Sequence, residues 1–142
     1  MAYEEKMSKN IKRNEKYLEC FENWLAQKNL VPKTIKNHLA NTKLFINDYL
    51  NYNEIIKAED GLPEIYIFRW VVYHQMSMGI QKFLKKTLAS LKKFYQYMSE
   101  NNYVDATEYQ NTFSFLKDNM DEILESIDAF ADFDEDDLYS IF

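Results

Sequence analysis

The chain has 142 residues, 46% of them hydrophobic and 16% aromatic, and its 17 Lys and Arg against 23 Asp and Glu give a net charge of −6. That is the size of one ordinary domain with enough apolar side chain for a real core, and its single cysteine excludes an internal disulfide framework and suits a reducing compartment. Two glycines and two prolines leave few breakers, which argues for an all-α fold, and no apolar run is long enough to span a bilayer, so the chain is read as cytoplasmic, without a membrane partner.

The charge is divided unevenly. Residues 1–105 carry sixteen basic against twelve acidic groups, a net of +4, whereas residues 106–142 carry Lys117 alone against eleven acidic groups, a net of −10. A mildly basic body with a strongly acidic C-terminal part follows.

A first helix is expected over about residues 8–28, where Ile11, Tyr17, Leu18, Phe21, Trp24 and Leu25 form an apolar stripe, with Ser8 as a candidate cap and Asn29 as a stop. Pro32 sits well at the mouth of a second helix, about residues 33–52, which is expected to bury Ile35, Leu39, Leu44 or Phe45, Tyr49 and Tyr52. Its first turns would expose Lys33, Lys36, Asn37 and His38. A loop over residues 53–63 follows, marked by the acidic Ala58-Glu59-Asp60-Gly61 run. Residues 64–76 are apolar nearly all round and suit either a strand or a buried helix; helix is taken because no partner strand is evident elsewhere.

The organising stretch is IQKFLKKTLASLKKFYQYM, residues 80–98. Ile80, Phe83, Leu84, Leu88, Leu91, Tyr95 and Met98 recur at helical spacing, and Lys82, Lys85, Lys86, Lys92 and Lys93 fall largely off that stripe. Such a helix packs on one side and offers positive charge to a polyanion on the other. A lysine-rich face that merely stays solvated has the same pattern.

Beyond it, Tyr109, Phe113, Leu116, Met120, Ile123, Ile127 and Phe130 step by three and four residues, predicting one further helix over about 108–130. That seam either docks on the body or pairs with a second copy. The end, residues 132–142, mixes carboxylates with Phe133, Leu138, Tyr139, Ile141 and Phe142, and as a free acidic end would be solvated, fold across the basic face or bind a protein partner.

Three stretches, FENWLAQKNLVPKTIKNHLANTKLFINDYL, the S-M-G-I break and TLASLKKFYQYMSENNYVD, resemble the N-terminal core-binding domain of the tyrosine recombinases, the phage-integrase family, also described as SAM-like. The second-helix pattern of that family is matched by Val31, Thr34, Ile35, His38, Thr42 and Phe45, and the later helix by residues 88–98 followed by Tyr103-Val104. The likeness covers roughly residues 12–105. It implies a compact bundle of four to five helices over residues 1–105, to which the apolar seam and the carboxylates beyond add an amphipathic helix in 106–131 and an acidic tail in 132–142. It also implies a clamp on duplex DNA, with Lys33, Thr34, Lys36, Asn37 and His38 on the second helix, and Gln81, Lys82, Lys85, Lys86 and in addition Ser90 on the fourth, facing the groove and its phosphates. The lysines would supply sequence-independent attraction, while Asn37 and Gln81 have the amides that pair with adenine.

The family's strand-cleaving chemistry is missing from this sequence. In that family a tyrosine nucleophile is supported by two arginines, a lysine and histidine or tryptophan groups in a separate C-terminal domain; this chain's arginines are Arg13 and Arg69 alone, and neither His38 nor His74 is followed three residues on by the arginine that the H-x-x-R motif requires. Tyr139 lies among carboxylates that would repel a phosphate. Cys20, read as a core residue, shows no metal-ligand spacing with the two histidines; Asp132, Asp134 and Asp136 open like a calcium loop, but Asp137 occupies the place that needs glycine. No enzyme, cofactor, metal or small-molecule substrate is expected. The expected function is a non-catalytic DNA-binding accessory protein or truncated recombinase in DNA integration or recombination. Its rival is a regulatory module that kept the fold without binding DNA, the acidic tail masking the basic face or holding a partner.

Overall fold

The computed structural model describes residues 2–52, 54–64, 67 and 79–131. Among them lie five α-helices and no strand: α1 (Tyr3–Ala26), α2 (Pro32–Leu44), α3 (Ile80–Glu100), α4 (Ala106–Asp118) and α5 (Met120–Ala131). The chain is an all-α bundle. Of the helix expected over 64–76, the described residues include Glu64 and buried Ile67, whose N–H donates to Glu64 C=O at 3.0 Å; the rest falls outside them.

α3 is central because one side of it is almost entirely apolar. Phe83, Leu84, Leu88, Leu91, Phe94, Tyr95, Tyr97 and Met98 are buried there. α1 lays Phe21 and Leu25 against it, with the Phe21 ring 5.3 Å from Phe94 and 5.9 Å from Tyr97. α4 lays Phe113 and Leu116 on the opposite flank, the Phe113 ring 6.4 Å from Tyr95, and Ile123 of α5 is also buried in this core. Gly79 starts α3 with φ of 93° and ψ of 153°, a conformation in which a Cβ is strained. At the other end Asn102 is left-handed (φ 61°), Asn102 N–H donates to Ser99 C=O (3.1 Å) and Tyr103 N–H to Met98 C=O (2.9 Å). These two bonds form a Schellman stop, after which the Asp105 carboxylate caps α4 by accepting from Glu108 N–H at 3.0 Å.

Several boundaries differ from the sequence expectation. α1 begins at Tyr3, so Ser8 is interior and caps nothing. Cys20 is exposed, not a core residue, because the buried row of α1 runs through Asn10, Asn14, Phe21 and Leu25 and leaves position 20 outside it. Asn29 does end the first helical region in a left-handed conformation (φ 60°), and Pro32 opens α2. α2 gives way after Leu44 to a π-helical turn, Phe45–Tyr49, closed by Leu50 N–H donating to Phe45 C=O at 3.0 Å. Phe45 and Ile46 are fully buried, but Tyr52 is 67% exposed. The C-terminal seam is not one helix: the Asn119 side chain donates to Phe115 C=O (2.8 Å) and the chain bends there before α5.

The buried asparagines explain the π turn. Asn14 Nδ2 donates to Ile46 C=O (3.2 Å) and Asn47 Oδ1 (2.9 Å), and Asn10 Nδ2 donates to Asn51 Oδ1 (2.8 Å) and Ile56 C=O (3.1 Å). A polar ladder thus fixes how α1 sits on the turn, since sliding it would bury unpaired amides. The connection beyond is held by Tyr95, whose buried hydroxyl donates to Ala58 C=O (2.8 Å) and Gly61 C=O (3.0 Å). Burial, with Glu59 and Asp60 nearby, pushes that phenol well above its ordinary pKa. A Cβ at Gly61 would overlap the Leu50 methyl groups, so a larger residue there requires the Leu50 side chain to shift. Replacing Tyr95→Phe strips both carbonyls of their donor, and denaturant unfolding is expected to show a loss of about 1–3 kcal/mol with an unchanged m-value.

Candidate nucleic-acid interface

α2 and α3 meet through polar groups. Ser90 of α3 is fully buried; its Oγ lies 2.8 Å from His38 Nδ1 and accepts from Asn41 Nδ2 at 3.1 Å. Burial first, and the charge of Lys93 second, lower the His38 pKa from its ordinary value. The lowered pKa favours the neutral imidazole, in which Nδ1 accepts from the Ser90 hydroxyl in the Nε2–H tautomer and donates to it in the Nδ1–H tautomer.

Around this seam the surface is cationic. α2 carries Lys33, Lys36 and Lys43, α3 carries Lys82, Lys85, Lys86, Lys92 and Lys93, and neither helix contains a carboxylate before Glu100. Among the described residues the ion pair is Arg13 with Glu59, and none of these eight lysines takes part in one. On α3 the exposed side resolves into rows seven residues apart. Lys82, Ala89 and Gln96 run along the middle, Lys86 and Lys93 lie on the flank towards Ser90, and Lys85 and Lys92 lie on the other, where the Tyr109 hydroxyl of α4 donates to Lys92 C=O at 3.2 Å. Ala89 is exposed at the centre.

The residues expected at a DNA face divide into two groups. Lys33, Lys36 and Asn37 are exposed on α2, and Lys82, Lys85 and Lys86 are exposed on α3. Thr34 and His38 are partly buried, His38 against Ser90 of α3, and Ser90 is wholly internal, so its part is to orient His38 and Asn41. Gln81 is also partly buried and already engaged. Asn41 and the central position of Ala89 were not anticipated from the sequence; the rows of seven on α3 carry the signal for the latter.

Other chemistry is sparse. A groove of about 320 Å³ between α1 and α2 is lined by Glu22, Asn23, Ala26, Pro32, Ile35, Lys36 and Leu39, without a converging set of titratable groups. Among the described residues no cluster of three or more His, Cys, Asp or Glu could hold a metal, and no helix is long and apolar enough to cross a membrane. Arg69, His74, Tyr139 and the aspartates of the calcium-like run lie outside the described residues. No protein-family model, curated protein or solved structure matches the chain.

The lowered His38 pKa has a consequence for stability. Because the unfolded chain binds this proton more readily than the folded one, stability is complete above the ordinary histidine value of 6.5 and falls as the pH drops below it. Denaturation midpoints measured from about pH 7.5 to about pH 5 are expected to decline less in a His38→Gln variant than in the parent.

Proposed function

We propose that the protein is a non-catalytic duplex-DNA-binding module resembling the core-binding domain of tyrosine recombinases, acting in the cytoplasm as an accessory protein or truncated recombinase in DNA integration or recombination. The observation that carries this reading is the carboxylate-free lysine side of α3 with Ala89 at its centre. A helix with side chains is roughly 10–12 Å across and the major groove about 12 Å wide. A small residue at the midline allows close approach to the groove floor, while the lysine pairs on either flank meet the phosphates of the two strands. Lys82 to Lys93 spans roughly 16 Å at the helical rise, enough for several phosphates on each side. Asn37 on α2 and Gln96 on the α3 midline are the amides best placed to contact base edges.

The charge of residues 106–142 supports a second reading, in which the acidic part regulates a partner-binding surface, because α4 is docked against the Lys92 flank of α3. Removing residues 132–142 distinguishes the two. Under the DNA reading the shortened chain binds duplex at least as well as the full chain. Under the regulatory reading neither form binds.

Fluorescence anisotropy with a short duplex across a salt series tests the proposal. Affinity is expected to fall steeply with salt, and the triple change Lys82→Ala, Lys85→Ala, Lys86→Ala to reduce the log–log slope by about 2–3. Ala89→Glu, an exposed change that places a carboxylate at the midline, is expected to abolish binding while leaving the helical circular dichroism intact. Binding that neither variant alters overturns the assignment.

A further inference from the structure

α1 carries a second row of positive charge, apart from the lysines of α3. Lys6, Lys9, Arg13 and Lys16 follow one another at three, four and three residues and so lie in one line along roughly 15 Å of helix. All four are exposed. Glu5 and Glu19 border the line, whereas Glu15 and Glu22 lie on the flank towards α2, where Glu22 lines the interhelical groove. The row borders a different part of the molecule from the α3 lysines. Arg13 reaches Glu59, and the Tyr17 hydroxyl donates to the same carboxylate at 3.0 Å. The Tyr17 ring meets Tyr103, at the turn between α3 and α4, at 5.2 Å. The α3 lysines instead flank the His38–Ser90 seam, where α2 meets α3.

We propose that this row is a second phosphate-binding surface and that one copy of the protein bridges two segments of duplex DNA, one held by α3 and one by α1. The inference rests on the duplex-binding reading of α3 and extends it. Duplex DNA is stiff over about 150 base pairs, so a short segment seated on α3 does not bend round a bundle of this size to reach α1. A second segment is what the α1 row fits. Arg13 is shared with Glu59, so Lys6, Lys9 and Lys16 carry most of the contact.

The test is capture of a fluorescent duplex from solution by a second duplex fixed to beads, mediated by the full chain, with anisotropy on a single duplex measured in parallel. The parent is expected to capture the second duplex. The triple change Lys6→Ala, Lys9→Ala, Lys16→Ala should lower capture about tenfold or more while single-duplex affinity stays within about twofold. A parent that binds one duplex but captures no second overturns the bridge and leaves the α3 reading standing. Equal losses of capture and of single-duplex affinity in the α1 variant also overturn it, since the row would then belong to the same surface. Sedimentation showing that the parent dimerises on DNA and the α1 variant does not overturns it as well, by assigning capture to the dimer. Absence of duplex binding by the parent removes the α3 reading and the bridge together.

Discussion

α3 must satisfy two environments along its full length, and the rest of the bundle is placed by that requirement. Its inner side buries phenyl, leucyl and tyrosyl groups that only neighbouring helices can cover, so α1, α2 and α4 are drawn around it. Its outer side holds five lysines whose ammonium groups need water or an anion, which disfavours covering them with apolar side chains. The cationic face is thus a by-product of how the core is completed. Burial of Ser90 on the boundary between the two sides turns His38 and Asn41 inward and fixes the angle at which α2 flanks the lysines.

A second constraint acts through amides rather than hydrocarbon. Asn10 and Asn14 are buried on α1, and their donors are matched by the π turn and the chain that follows it. Apolar contacts tolerate sliding, whereas these bonds do not, so the ladder sets the register of α1. Tyr95 then ties the 58–61 connection to α3 and links the two constraints through one side chain. In the same region Glu59 holds Arg13 and Tyr17.

The all-α architecture, the inner stripe of α3 and the start of α2 at Pro32 were legible in the sequence because each depends on local spacing or on a single residue's backbone geometry. What was not legible depends on partners far along the chain. Asn14 looks like a surface residue until Ile46 and Asn47, 32 and 33 positions away, are brought to it. Cys20 looks like a core residue until the asparagines show which side of α1 faces inward. The 3.5-residue seam of the C-terminal part concealed the bend at Asn119, where a side-chain amide competes for a backbone carbonyl. For the candidate interface, the exposed lysines followed from their spacing off the stripe. The partial burial of His38 and Thr34 and the full burial of Ser90 did not follow from spacing, because contact between α2 and α3 decides them.

On the proposed function, duplex DNA meets the molecule on the outer side of α3, with the edge of α2 beside it. Backbone amide shifts of the isotopically labelled chain, followed as a short duplex is added, test this most directly. Changes are expected to concentrate at Asn37, Asn41, Lys86, Ala89 and Lys93, with α5 unaffected. Changes confined to α4 and α5, or none at duplex concentrations that saturate a weak site, would contradict it.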